Sequence, residues 1–199
     1  MIGTRTEQLG RLGGTRGNEL LTSATAVVLT VLLMAEGVTV LWLDGLLTEH
    51  MFIGLVLIPP IVLKLASTGY RFVRYYAGAA RYRAKGAPPL VLRALAPLLV
   101  ATTIAIFATG VAMLLLGHKS DLLLELHKVS FIVWSVWFGV HFLWHVPHVW
   151  NALVAGRRAR RPAGSTLRGL AVAASLGAGT VLAVALLSVI EGWQRGPFD

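Results

Sequence analysis

Apolar residues run along this chain in five long blocks, at about 22–43, 50–70, 94–117, 127–149 and 168–190, separated by short polar, basic or Gly/Pro-bearing connections. None of the blocks alternates with the period of a half-buried strand. Each has the ~20 residues that a helix needs to cross a hydrocarbon core of about 30 Å. The pattern predicts an all-α integral membrane protein. The first apolar block is longer than the core of a secretory signal and reads as a retained span.

Composition strengthens that reading. The 199 residues are 56% hydrophobic and only 14% charged, with a mean hydropathy of +0.72. The net charge of +9 would suit a nucleic-acid binder, but its placement does not. Arg5, Arg11 and Arg16 precede the first span; Arg71, Arg74, Arg81, Arg83, Lys85 and Arg93 lie between the second and third; Arg157, Arg158, Arg160, Arg161 and Arg168 lie between the fourth and fifth. Basic residues clustered in alternate connections mark the cytoplasmic side. The expected topology is therefore a multi-pass protein of the cell membrane, N-terminus cytoplasmic and C-terminus outside. Its basic loops contact anionic membrane lipid, not nucleic acid. The absence of cysteine excludes disulfides, thiolate metal sites, iron–sulfur ligation and c-type haem attachment.

An internal duplication organises the first four spans. HMFIGLVLIPPIVLKLASTGYR, from His50, can be laid over HKVSFIVWSVWFGVHFLWHVPH, from His127, so that Lys64 stands opposite His141 and Arg71 opposite His148. Upstream, AEGVTVLWL (35–43) matches ATGVAMLLL (108–116), aligning Glu36 with Thr109 and Gly37 with Gly110. The expected architecture is a four-helix bundle made of a duplicated two-helix unit, with a fifth transmembrane helix appended. In domain terms, residues 1–19 form a flexible cytoplasmic arm and 20–150 the bundle. Residues 151–199 hold a basic cytoplasmic loop, the fifth span and a short tail. Pro59–Pro60 is expected to break or bend the second span, because proline removes a backbone donor. SLGAGT (175–180) in the fifth span invites close helix packing.

The fourth span carries the candidate chemistry. His127, His141 and His145 fall on one helical stripe at spacings of 14 and 18 residues, with His148 one turn on. A polar stripe on a membrane helix faces the bundle interior. His50 and His127 each open a span from the same side, so they sit at matched depth and can face each other as two imidazole ligands of a haem iron. Gly54, one turn after His50, leaves room for a flat macrocycle. Lys128, with His118 or Lys119, stands where propionates would emerge. Glu36 is an intramembrane carboxylate and so a functional candidate, either as a proton or quinol contact or as a neutral side chain bonded to nearby backbone. STGYRFVRYY (67–76) reads as an interfacial aromatic belt, or as a docking site for a soluble partner.

Two histidines 14 residues apart on one membrane helix, with another one turn later, resemble the membrane-bound b-type cytochromes. These include the cytochrome b subunits of formate dehydrogenase and nickel–iron hydrogenase. The resemblance covers residues 22–150. It implies haem b as cofactor, quinone as a further ligand, and work as the electron-transfer subunit of an oxidoreductase rather than as a complete enzyme, beside a redox partner subunit or a second copy. The chain departs from the pattern at Lys64, where the second ligand of an inner haem would stand. One haem, on His50 and His127, is therefore expected. A second would need Lys64 or another group to complete a site with His141 and His145. Two other functions fit the same residues: a transporter or metal-binding channel lined by Glu36, Lys64, His141 and His145, and a cofactor-free membrane anchor subunit.

Overall fold

The computed structural model describes residues 14–87, 89–116, 120–156 and 164–195. Those residues are all-α. Helix α1 spans Gly14–Leu41, α2 Leu43–Tyr76, α3 Ala80–Arg83, α4 Leu90–Leu116, α5 Asp121–Gly156, α6 Ser165–Ala185 and α7 Leu187–Arg195. Five of them (α1, α2, α4, α5 and α6) are long and apolar enough to cross a membrane. The chain is a multi-pass membrane protein. The helix from Gly14 takes in the end of the expected arm; residues 1–13 lie outside the described residues.

Polarity is distributed as lipid demands. Val31, Met34, Leu41, Leu90, Leu143 and Val181 point outward, while Thr25, Thr39, Ser67 and Thr103 are buried. With no water in the bilayer core, hydroxyls turn inward to find partners and alkyl chains face the tails. Each buried threonine returns its hydroxyl to its own helix: Thr25 to the Leu21 carbonyl at 2.9 Å and Thr103 to that of Leu99 at 2.6 Å.

The helices assemble as two antiparallel hairpins, α1/α2 and α4/α5. In the first, Asn18 Nδ2 donates to the Ser67 carbonyl at 3.0 Å, and Thr22 Oγ1 to Ser67 Oγ at 3.0 Å. In the second, Trp134 Nε1 donates to Thr103 Oγ1 at 3.0 Å. The hairpins meet mainly through α2 and α4, and the backbones of α2 and α5 stand apart. At the far end of the first hairpin Glu19 pairs with Lys85 at 2.5 Å and Arg71 at 3.8 Å, all about a third exposed or more. Exposed pairs of this kind contribute little. Lys85→Ala is expected to lower stability by under about 1 kcal/mol, read as a small shift in a detergent thermal melt that shrinks further in salt.

Two expectations about helix continuity are corrected. The second span does not break at Pro59–Pro60: α2 runs through both, and its non-helical torsion is at Leu46 (φ −126°, ψ 26°), next to the turn at Trp42. A neighbouring helix packs onto the backbone there, the setting in which membrane helices tolerate proline. Proline at 60 cannot donate to the carbonyl of Val56, and Gly179 of α6 lies against that carbonyl so closely that a Cβ there would overlap its oxygen. The fifth helix thus covers the backbone group that the proline leaves unpaired.

The apolar block 168–190 is also not one helix. It turns at Leu186 (φ −100°, ψ 8°), and α7 continues from Leu187. Leu186, Val189, Ile190 and Trp193 recur at helical spacing, and Ile190 is fully buried in a core with Leu55, Val56, Leu114 and Ala183. Trp193 Nε1 donates to the Met113 carbonyl at 3.1 Å. Helix α7 therefore ties α2 and α4 together at the end where both histidine-bearing helices begin.

Candidate haem-ligand site

His50 opens the intramembrane part of α2 and His127 lies two turns into α5. The two rings, contributed by different hairpins, come together with centroids 6.4 Å apart and planes at 85°. The fold thus brings these two rings close together, across the seam where α2 and α5 are separated.

Each ring is held from behind by the helix that precedes its own. His50 Nδ1 lies 3.0 Å from Glu36 Oε1 and 3.2 Å from Thr39 Oγ1. Thr39 Oγ1 itself donates to the Glu36 carbonyl at 2.6 Å, which leaves its oxygen lone pairs facing His50. His127 Nδ1 lies 3.1 Å from the Ile106 carbonyl and 3.1 Å from Thr109 Oγ1. The Thr109 hydroxyl is likewise spent on its own helix, reaching the Ala105 carbonyl at 2.6 Å. Carbonyl and carboxylate oxygens only accept, so Nδ1 is the donor in both rings, and in the neutral tautomer this selects, Nε2 is the nitrogen that keeps a lone pair. This is the arrangement that orients a metal-binding histidine.

Sequence reasoning proposed the two histidines but not what orients them. Thr39, Thr109 and the Ile106 carbonyl act through the rotation of neighbouring helices, which no single segment displays. The internal duplication carried part of the signal: Glu36 and Thr109 are aligned positions, and each touches Nδ1 of its own hairpin's histidine. Gly110, aligned with Gly37, admits the His127 ring; a Cβ there would sit 3.2 Å from Cε1. Gly54 instead borders Glu36, at 3.6 Å from Oε1 to a Cβ built on it.

The remaining candidates are arranged differently. Lys64 Nζ donates to the Thr22 carbonyl at 2.9 Å, within its own hairpin. His141 stacks on His145 with centroids 4.4 Å apart, and His145 Nδ1 is 2.9 Å from the His141 carbonyl. The inner half thus shows a pair of rings on one helix, not facing imidazoles from two hairpins. Between the two levels Trp134, Phe138 and Phe142 stack along α5, the first two at 4.4 Å and 9°. Lys128 is exposed and lies 3.4 Å from Glu125 Oε1. His118, Lys119 and the side chain of His148 lie outside the described residues.

The donor set can be tested against a haem. A metal–imidazole bond of about 2 Å places a ring centroid roughly 3 Å from the metal, so a metal shared by two such rings holds their centroids about 6 Å apart. The observed 6.4 Å matches that span for rings whose Nε2 atoms point toward one another. Among the described residues no group of three or more His, Asp or Glu side chains converges as an ion cage. Two imidazoles alone are fewer than the four or more donors that surround zinc, calcium or magnesium. They suit an iron whose other four positions are filled by a macrocycle. The residues present fit the group.

Compared with protein-family models, with curated proteins and with solved structures, the chain matches none of them.

Proposed function

We propose that this chain is a membrane electron-transfer protein of the b-type cytochrome kind, holding one haem b between His50 and His127. The observation that carries the reading is the pair of Nδ1-anchored imidazoles with centroids 6.4 Å apart, drawn from two hairpins. When bound, the haem supplies a one-electron couple within the membrane. The protein's own contribution is to fix both tautomers, to hold the rings across the α2–α5 seam, and to close that end with α7. The positive-inside pattern puts the pair near the outer face of the cell membrane. There it serves a redox partner on that side and quinone within the bilayer, as an oxidoreductase subunit rather than as a whole enzyme.

The test is a reduced-minus-oxidised absorption spectrum of the detergent-purified protein, with its haem-to-chain ratio. A b-type spectrum at about one haem per chain is expected. A colourless, folded preparation made with ample haem would refute the reading.

Ring orientation gives a second expected result. An imidazole bound to haem iron would donate π density into the iron d orbital normal to its ring plane. Rings held at 85° would act on two different orbitals and leave them nearly equal in energy. The oxidised protein is therefore expected to give a strongly anisotropic low-spin EPR signal. The ordinary rhombic spectrum of parallel rings would contradict this geometry.

A further inference from the structure

The two rings are not equivalent from behind. His127 gives its Nδ1 proton to a neutral acceptor, the Ile106 carbonyl or the Thr109 hydroxyl oxygen. His50 faces a carboxylate, Glu36 Oε1, at 3.0 Å. We propose that Glu36 is a positioning residue that sets the reduction potential of the site, by making His50 the more anionic and more strongly donating of the two ligands. The proposal rests on the haem reading above.

The physical basis is direct. A carboxylate that accepts the Nδ1 proton draws it away from the ring and raises the basicity of the opposite nitrogen. Oxidised iron carries one more positive charge than reduced iron, so a stronger donor and a nearby negative charge both favour the oxidised form. Glu36 is well placed to exert this effect. Its side chain is only 16% exposed, where little solvent screens its charge. Its second oxygen, Oε2, lies 3.4 Å from Thr39 Oγ1, a neutral group. Lys128, the described cation near the start of α5, lies beside Glu125 on an exposed surface. Among the described residues, His127 Nδ1 has neutral partners, Thr109 Oγ1 and the Ile106 carbonyl, and Thr109 stands where the first unit has Glu36.

Geometry separates the charge from the hydrogen bond. Glu36→Gln keeps an oxygen that can accept from Nδ1 and removes the charge alone. Thr39→Val removes a hydroxyl within 3.2 Å of the same nitrogen and leaves the charge.

The experiment is a redox titration of the haem-loaded full chain, with the haem-to-chain ratio measured on the same samples. E36Q is expected to keep its haem and shift the oxidised-to-reduced equilibrium toward reduced by about tenfold, roughly 59 mV for one electron. T39V is expected to move it by much less. E36D, whose carboxylate is withdrawn by one methylene, should shift in the same direction as E36Q and by a smaller amount. E36D decides the matter should E36Q not be recovered folded: an upward shift supports the proposal and a wild-type potential overturns it. An unchanged potential in haem-loaded E36Q overturns the proposal, and so does a T39V shift as large as that of E36Q. Folded E36Q that has lost its haem also overturns it, since Glu36 would then retain the group and not tune it. A wild-type chain without haem defeats the parent reading as well, whereas haem bound with an unmoved potential defeats this inference alone.

Discussion

His127→Ala is expected to empty the site. Haem content should fall from about one per chain to nearly none, because a haem held by one protein imidazole in a seam between two hairpins would keep only half of the ligands the chain offers it. His50→Ala should do the same, since the rings come from separate helices and the other histidines with described side chains, His141 and His145, lie about four and five turns further along α5. His141→Ala is the control. That ring stacks on His145 within α5 and faces no imidazole from the other hairpin, so its loss should leave the spectrum and stoichiometry intact. Partial recovery of the His127→Ala spectrum by added imidazole would show that a ligand, and not the fold, had been removed. Haem retained in both His50→Ala and His127→Ala would mean that the iron is held elsewhere.

The largest expected effect on stability comes from a residue with no chemistry of its own. Gly179→Ala puts a methyl group onto the Val56 carbonyl, 3.0 Å from that residue's Cα and carbonyl carbon and closer still to its oxygen. The neighbour is helix backbone, which cannot rotate away, so α6 must move off α2. Overpacking of this sort costs about 1–3 kcal/mol, and occasionally more. The displacement would also uncover the carbonyl that Pro60 leaves without a donor. Gly177→Ala, two residues earlier, meets open space and should be neutral or stabilising by up to about 1 kcal/mol through helix propensity. Thermal melts or denaturant titrations in detergent would read the contrast. Equal melting temperatures for the two variants would show that α6 does not depend on this contact.

The amino-acid sequence made some of this legible for identifiable reasons. Span number and type follow from apolar runs, because each helix must be long and apolar enough by itself. The His50/His127 pairing follows from chain direction, since both residues open spans that run the same way. The turn at Leu186 was hidden because the block 168–190 stays apolar throughout. Only the 186, 189, 190, 193 spacing betrays a short amphipathic helix packed at the end of the bundle. The continuity of α2 through Pro59–Pro60 was illegible within that span, as was the helix packed onto it there, whose Gly179 lies about 120 residues away. Likewise, Lys64 looked like a substitute ligand from its aligned position with His141. In the fold its ammonium group is bonded to the Thr22 carbonyl instead, a partner that only the packing of α1 on α2 supplies.

The duplicated unit consists of two helices, and its parity has a consequence. A segment that crosses the membrane an even number of times returns to the side it started from, so its tandem copy is inserted the same way up. The copies are then related by rotation about the membrane normal, not by inversion through the membrane plane. Equivalent residues arrive at equal depth on opposite sides of a central seam. His50 and His127, each near the start of the second helix of its hairpin, hold corresponding places in the two units, and their ring centroids lie 6.4 Å apart. A three-helix unit carrying the same histidine would have placed its copies near opposite faces of the bilayer, too far apart to share a ligand.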